Sequence, residues 1–285
     1  MPEDDAEYLI EPAELSAISG DESLRIFDAT VLFGSQQESA YDRYLQAHIP
    51  KAAFLDHQVL SDSDSPYMYM LPDAGKLGEA IGELGVSNDD EVVVYSSDTL
   101  MWATRAFWVL RYAGHNRVRI LNGGLQAWRA FGGEIDSDSY VHTPRRFTPA
   151  LRPAMIVGYD QVLAAIGDAQ VCTINALPES YYRGTSEAGY AAAGHITGST
   201  NTPYSEIAPG ERFPDKTTLR NVLAAAGYLG GEKVISYCGG GIAATVSATA
   251  CLLAGKDNVA VYDGSLHEWL SQGGPTTLGS DPGKL

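Results

Sequence analysis

Cysteine is scarce in this chain of 285 residues. The three present, Cys172, Cys238 and Cys251, are too few and too scattered for a disulfide framework, and no Cys-x-x-Cys pair occurs. The six histidines do not gather at metal-ligand spacing, so neither a structural zinc nor any other metal is expected, and no motif calls for a cofactor. Positive charge is also in short supply: 19 Lys and Arg stand against 36 Asp and Glu, a formal net charge of −17. Nucleic acid is therefore excluded as a partner, because phosphate backbones need a basic patch. The same imbalance repels small anions, so an anion site here must be local and built from backbone groups. Long apolar runs are missing too. None approaches the roughly 18 residues of a membrane span, and no membrane partner is expected. The opening Met1-Pro-Glu-Asp-Asp5 is acidic and lacks the apolar stretch of an ordinary signal peptide. A reducing cytoplasm is the expected compartment, and it suits a working thiol.

What is present is core-forming. Hydrophobic residues make up 45% of the chain, which argues against disorder and leaves room for one large or two medium domains. The most informative stretch is Val234-Ile-Ser-Tyr-Cys238-Gly-Gly-Gly-Ile-Ala-Ala-Thr245. Its strand-like run ends in a cysteine, three glycines follow, and an alanine-rich helical segment begins. A free thiol with a pKa of about 8.5 is only about 3% ionised at pH 7. Helix N-termini and converging backbone amides favour the anion and lower cysteine pKa values to roughly 3.5–7.5. Gly239, Gly240 and Gly241 can adopt positive φ and turn their N–H groups inward. With Ile242 and Ala243 they would make a cradle for a thiolate and a second anionic atom bound to it. The competing reading is a buried structural cysteine beside a flexible glycine linker.

The sequence repeats itself. Ile26-Phe-Asp28-Ala recurs as Thr173-Ile-Asn175-Ala, and Ala47-His48-Ile-Pro-Lys-Ala as Gly194-His195-Ile-Thr-Gly-Ser. Val92-Val-Val-Tyr-Ser96 returns as Val234-Ile-Ser-Tyr-Cys238, and Leu121-Asn122-Gly-Gly-Leu-Gln-Ala-Trp128 as Tyr262-Asp263-Gly-Ser-Leu-His-Glu-Trp269. The offsets are 147, 147, 142 and 141 residues, a steady register with a small net deletion. Two copies of one α/β domain are expected, over residues 8–143 and 154–277, each a parallel sheet flanked by helices. The joint, Thr143–Pro153, carries Pro144, Pro149 and Pro153 and suits an extended linker.

Alternation of apolar and helical segments predicts strands at Leu24–Ala29, Glu91–Tyr95 and Arg117–Leu121 in the first copy. A helix is predicted at Thr104–Ala113, stopped by Gly114. In the second copy the strands fall at Val171–Ala176, Val234–Tyr237 and Val259–Tyr262, with a helix at Ala243–Ala254 closed by Gly255. Cys238 then lies at the carboxyl end of a strand, where open α/β sheets bind ligands. His48 and His195 recur in both copies and are expected to fix a turn by hydrogen bonding. Trp128 and Trp269 are expected in the core, and Cys172 and Cys251 to be inert packing residues.

The repeated His-Ile segments, Asn122-Gly-Gly-Leu…Trp128, Asp263-Gly-Ser-Leu…Trp269 and the Cys238-Gly-Gly-Gly-Ile-Ala loop together resemble the tandem-domain rhodaneses, which are thiosulfate/3-mercaptopyruvate-type sulfurtransferases. The likeness runs from about Tyr8 to Pro275. It implies that the second domain is catalytic and that the first, with Ser96 at the cysteine position, is not. Cys238 would take a sulfane sulfur from a small donor, hold it as a persulfide, and pass it to a thiol or cyanide. The partners are then small molecules, with the chain a monomer or weak dimer. In mercaptopyruvate-using relatives an arginine follows the strand matching Val171–Ala176. Tyr181 stands there, with Arg183 two residues on, and a second family arginine falls near Tyr190. The assisting His and Asp of the first domain fall at Tyr69 and Gln58, beside His57. Thiosulfate-using relatives carry basic residues in the cysteine loop, and Gly239 to Gly241 supply none. Substrate contacts are therefore sought at Arg183, Tyr181, His57 and Tyr69, although Arg183 could equally be a surface residue paired with Glu179 or Glu187. Two alternatives are a persulfide carrier or sensor without turnover and a protein-interaction module. A cysteine phosphatase is disfavoured, since its phosphate-clamping arginine six places after the cysteine is Ala244 here.

Overall fold

In a computed structural model the described residues are 8–33, 38–187 and 189–284, so the acidic Met1–Asp5 lies outside them. The chain divides into two compact units. One comprises residues up to Ser61 and Leu71–Leu151, the other Asp62–Met70 and everything from Arg152.

The first unit runs β1 (Leu9–Ile10), α1 (Pro12–Ile18), β2 (Leu24–Asp28), α2 (Ala40–Gln46), β3 (Ala52–Phe54), α3 (Ala74–Glu83), β4 (Glu91–Tyr95), α4 (Leu100–Tyr112), β5 (Val118–Leu121) and α5 (Gly124–Phe131). Its sheet has the order β1-β5-β4-β2-β3, and every pairing is parallel. Val92, Val93, Val94 and Tyr95 are fully buried, as expected where helices cover both faces of a parallel sheet. The Thr104–Ala113 helix predicted from sequence starts a turn earlier, at Leu100, because Thr99 is the extended residue that precedes the first helical turn. Thr143–Pro153 carries no helix or strand before Pro153, as its prolines demand, yet it is packed rather than free. Phe147 is buried, Arg145 N–H donates to Gly82 O at 2.8 Å, and Ala150 N–H donates to Ala113 O at 2.9 Å.

The second unit runs β6 (Ile156–Val157), α6 (Tyr159–Ala165), β7 (Val171–Asn175), α7 (Glu179–Tyr182), β8 (His195–Ile196), β9 (Thr200–Asn201), α8 (Tyr204–Ile207), α9 (Lys216–Ala225), β10 (Lys233–Tyr237), α10 (Ala244–Leu253), β11 (Val259–Tyr262), α11 (Ser265–Ser271) and β12 (Thr276–Thr277). Its sheet order β6-β11-β10-β7-β9 repeats the first sheet strand for strand, again all parallel. β12 and β8 form a separate antiparallel pair. Helix α10 is buried from Ala244 to Cys251, which explains its run of small and apolar side chains. Residues 62–70 close on themselves through Asp62 N–H to Met70 O at 2.7 Å, and the Tyr67 hydroxyl hydrogen-bonds that of Ser271. No helix among the described residues is long and apolar enough to cross a membrane.

The repeat extends to single hydrogen bonds. Tyr95 and Tyr237 pair with Asp28 and Asn175 across the central strands, and each phenol oxygen accepts the next turn's amide, from Ile49 at 3.2 Å and Ile196 at 3.0 Å. His48 and His195 bring Nδ1 to the carbonyls of Tyr44 (2.7 Å) and Tyr182 (2.8 Å) and stack on those tyrosines. Trp128 and Trp269 are both buried, and each indole N–H donates to a carbonyl six residues on. These pairs hold the turns and the core in both units.

Candidate active site

Cys238 is the first residue after β10, and β11 on one side and β7 on the other hold that strand in place. The sulfur-bearing residue is 2% exposed. Between the end of β10 at Tyr237 and the start of α10 at Ala244 the three glycines make the turn. Gly241 needs to be glycine: φ is +76°, and a Cβ would lie closer than 3.0 Å to the Asp263 carbonyl oxygen. The amides of Gly239, Gly240, Ile242 and Ala243 donate to no backbone carbonyl among the described residues. Helix α10 begins at Ala244, where Thr245 N–H and Oγ1–H both donate to Ile242 O, at 2.9 and 2.7 Å. A row of uncommitted N–H donors thus follows the thiol and leads into a buried helix N-terminus.

The turn after β11 clamps this loop from behind. Leu266 N–H donates to Cys238 O at 3.1 Å and His267 N–H to Gly239 O at 3.0 Å. Cys238 N–H donates to Ser265 Oγ at 3.1 Å, and the Ser265 hydroxyl donates to Tyr262 O at 2.7 Å. Ser265 reaches this place in the left-handed region, at φ +47°, where a non-glycine residue costs about 1–2 kcal/mol. The corresponding residue of the first unit is Gly124, at φ +57°. The second copy therefore keeps a strained serine where the first has the residue that suits the backbone. What the serine adds is a hydroxyl under the Cys238 amide. In the sequence Ser265 stands out only as part of a repeat. The signal was visible there, in the exchange of Gly124 for Ser265.

In front of the loop stand two aromatic rings. Tyr190 lies against Gly239, and the Tyr190 and His267 rings meet edge to face at 4.8 Å. Tyr181 joins them at 6.0 Å from Tyr190. Burial, then the nearby Cys238 charge, pushes the Tyr190 phenol up to about 12, and burial lowers the His267 imidazole below its usual value. Both rings are uncharged near pH 7. In the sequence Tyr190 stands out only as the place of an absent arginine, and His267 not at all.

The other sequence candidates lie as follows. Arg183 caps the end of α7 and is ion-paired with Glu179 at 2.5 Å, the surface reading considered for it. His57 belongs to the first unit. It is 2% exposed, its Nε2 lies 3.0 Å from Ala29 O, and its ring packs on Trp102. Burial pushes its pKa down to about 3, so it is a neutral core histidine. Tyr69 sits in the 62–70 segment with left-handed φ, +62°. Burial raises the Cys251 thiol to about 12 and also raises Cys172, whose Sγ–H donates to Gly227 O at 3.4 Å. Neither supplies a thiolate at neutral pH.

The matching turn of the first unit is chemically different. Ser96 O accepts Leu125 N–H at 3.2 Å, as Cys238 O accepts Leu266 N–H. Its hydroxyl, however, accepts the Asp98 amide at 3.1 Å, and Thr30 hydrogen-bonds Asp28 and Ser97 beside it. The amides of Ser97 and Asp98, which match the open donors of Gly239 and Gly240, are here bonded to Thr30 Oγ1 at 2.8 Å and Ser96 Oγ at 3.1 Å.

A parallel α/β unit with a cysteine at a strand end, followed by a glycine turn and a helix N-terminus, defines a thiol-dependent transferase or hydrolase. Ala244 stands at the place of a phosphate-clamping arginine, which disfavours the phosphatase alternative. The family model for the rhodanese-like domain matches residues 11–131 and 177–272, so the chain belongs to the rhodanese family and, as an enzyme, to its sulfurtransferases. It is 33% identical to the thiosulfate sulfurtransferase of Rattus norvegicus over 90% of this chain and 88% of that one. To the 3-mercaptopyruvate sulfurtransferase of Escherichia coli (strain K12) it is 31% identical, over 87% and 90%. The crystal structure of Escherichia coli SseA, a 3-mercaptopyruvate sulfotransferase, matches at TM-score 0.81 and 30% identity over 91% and 98% of the chains. That of Saccharomyces cerevisiae Tum1 protein matches at 0.84 and 26%, over 99% and 100%.

Proposed function

We propose that the second domain, residues 154–277, transfers sulfane sulfur through a persulfide on Cys238, and that the first, residues 8–143, is not catalytic. The observation that carries this reading is the Cys238 loop. Its thiol is followed by uncommitted amides and fixed from behind by Ser265 and Leu266. In the first half-reaction the Cys238 thiolate attacks the outer sulfur of the donor. A new S–S bond forms to Cys238, the donor S–S or C–S bond breaks, and its electron pair leaves with the rest of the donor. With thiosulfate the leaving group is sulfite, and with a 3-mercaptopyruvate-type donor it is the enolate of the 2-oxo acid. In the second half-reaction cyanide or a thiolate attacks the terminal sulfur and Cys238 leaves as thiolate, ready for another cycle.

Negative charge passes between Cys238, the transferred sulfur and the leaving group, and the amides of Gly239, Gly240, Ile242 and Ala243 are the donors available to stabilise it beside Cys238. Such donors suit a protein of net charge −17, since they add local positive potential without a cationic side chain. The partners are a small donor and a thiophilic acceptor, and the compartment is the reducing cytoplasm. The test is turnover: wild-type protein should gain one sulfur atom on Cys238 and lose it to cyanide as thiocyanate. A protein that gains sulfur but never releases it to any small acceptor is a carrier, and one that gains none is not a sulfurtransferase of this kind.

A further inference from the structure

The space beside Cys238 that a loop side chain would occupy is filled by an aromatic ring. A Cβ added at Gly239 would stand 2.5 Å from the Tyr190 hydroxyl and 2.7 Å from the ring carbon bearing it. The backbone of Gly239 is outside the left-handed region, so this ring is the obstacle that a side chain there would meet. One residue on, a Cβ at Gly240 would have His267 Nδ1 as its nearest neighbour, at 3.7 Å. The His267 backbone amide is also bonded to Gly239 O. A phenol and an imidazole, meeting at 4.8 Å, thus cover the two glycines after the nucleophile, with Tyr181 extending the wall. Among the described residues no cationic side chain acts on the Tyr190 phenol or the His267 imidazole. Arg183 is taken up by Glu179, and the Glu268 side chain lies against Gly264 on the turn behind the loop.

We infer that Tyr190 and His267 form the recognition wall for the sulfur donor, and that they select an organic persulfide whose body carries no anionic group. A carboxylate or sulfonate brought against this wall sheds water and gains no cation in return. An uncharged or cationic body keeps its favourable contacts with the ring faces. The inference rests on the reading of Cys238 as the persulfide residue and adds the chemical class of its donor. The step is balanced. The Cys238 thiolate takes the terminal sulfur of R–S–SH, giving Cys–S–SH, and R–S⁻ departs with the electron pair of the broken bond.

The test compares two donors with the same leaving sulfur, benzyl hydropersulfide and its 4-carboxylate. Initial rates of Cys238 sulfur loading are followed by intact mass. The wild-type protein should load sulfur from the uncharged donor with a second-order rate constant about tenfold higher, the size of effect that one aromatic contact supports. Tyr190→Phe should keep that order, since the ring remains. Tyr190→Arg should reverse it, with an unchanged circular dichroism spectrum and thermal midpoint as the check on folding. Equal use of both donors by wild type, or a preference that survives Tyr190→Arg, overturns the inference while leaving the Cys238 persulfide standing. Failure of every donor to load Cys238 overturns both.

Discussion

Gly241 has φ +76° and lies against the carbonyl of Asp263, so a methyl group there meets two obstacles at once. The left-handed conformation costs an alanine about 1–2 kcal/mol. Overpacking against a neighbour that cannot yield adds about 1–3 kcal/mol. The neighbour is backbone, and it is held: Asp263 follows β11, and two residues later Ser265 binds both Tyr262 O and the Cys238 amide. Gly241→Ala should therefore destabilise the second unit by about 2–5 kcal/mol. With a urea m-value of about 2 kcal/mol/M for a domain of this size, the midpoint of its transition falls by roughly 1–2.5 M. Any relief must come from moving the loop off the Asp263 turn, which displaces the amides after Cys238. Sulfur loading should then slow by about 100-fold, as expected when reacting groups shift by an ångström. Gly239→Ala is the control. Its obstacle is the far end of the Tyr190 side chain, so its loss should be about 1 kcal/mol and should disappear when the same change is made in a Tyr190→Ala background. Urea unfolding by tryptophan fluorescence and intact-mass kinetics measure both effects. A Gly241→Ala protein that keeps its midpoint and loads sulfur at the wild-type rate would refute the reasoning.

Ser265→Ala leaves the buried Cys238 amide without an acceptor and should cost about 1–3 kcal/mol with slower sulfur loading, whereas Ser265→Gly should regain part of the stability but not the rate; equal rates for all three proteins would remove Ser265 from the site. Ser96→Cys should gain no sulfur from any donor, because the first unit's turn consumes its own donors and has no glycines; a sulfur adduct located at position 96 of that variant by peptide mapping would contradict this. His57 and His115 are held neutral by burial, with pKa values pushed down to about 3 and about 4. The unfolded chain binds protons below about pH 6.5 and the folded chain does not, so stability is full above that pH and is lost as pH falls toward 4. Each histidine contributes a slope of up to about 1.4 kcal/mol per pH unit, and His57→Gln should flatten the urea-stability profile between pH 6 and 4 by that amount; superimposable slopes would show that His57 is not the responsible group.

Much of the architecture was legible in the chain because it is written twice. Glu91–Tyr95 and Val259–Tyr262 were readable as strands from apolar runs bounded by turn residues, and the structure has them at the same limits. Cys238 was legible because strand, glycines and helix follow one another within a dozen residues, so local pattern alone places it. Residues 62–70 were not legible. They lie within the first repeat, yet they group with the second unit, and a distant partner such as Ser271 leaves no mark on local periodicity. Ser265 was hidden for another reason. Its role depends on a left-handed φ, and a serine in that region gives no propensity signal; only comparison with Gly124 exposes it. Tyr190 and His267 carry no motif, and their meaning arises from two rings arriving beside Gly239 from separate segments. Arg183 shows the opposite case, a residue type suited to anion binding whose charge is already matched by Glu179 four residues before it.

The central claim, that Cys238 carries transferred sulfur, is tested most directly by intact-mass spectrometry of wild type and Cys238→Ser after exposure to thiosulfate, 3-mercaptopyruvate and an organic hydropersulfide. The expected result is a mass gain of one sulfur atom on wild type with at least one donor, mapped to Cys238, discharged by cyanide and absent from Cys238→Ser. A gain that persists in Cys238→Ser, or no gain on wild type with any of the three donors, would contradict it.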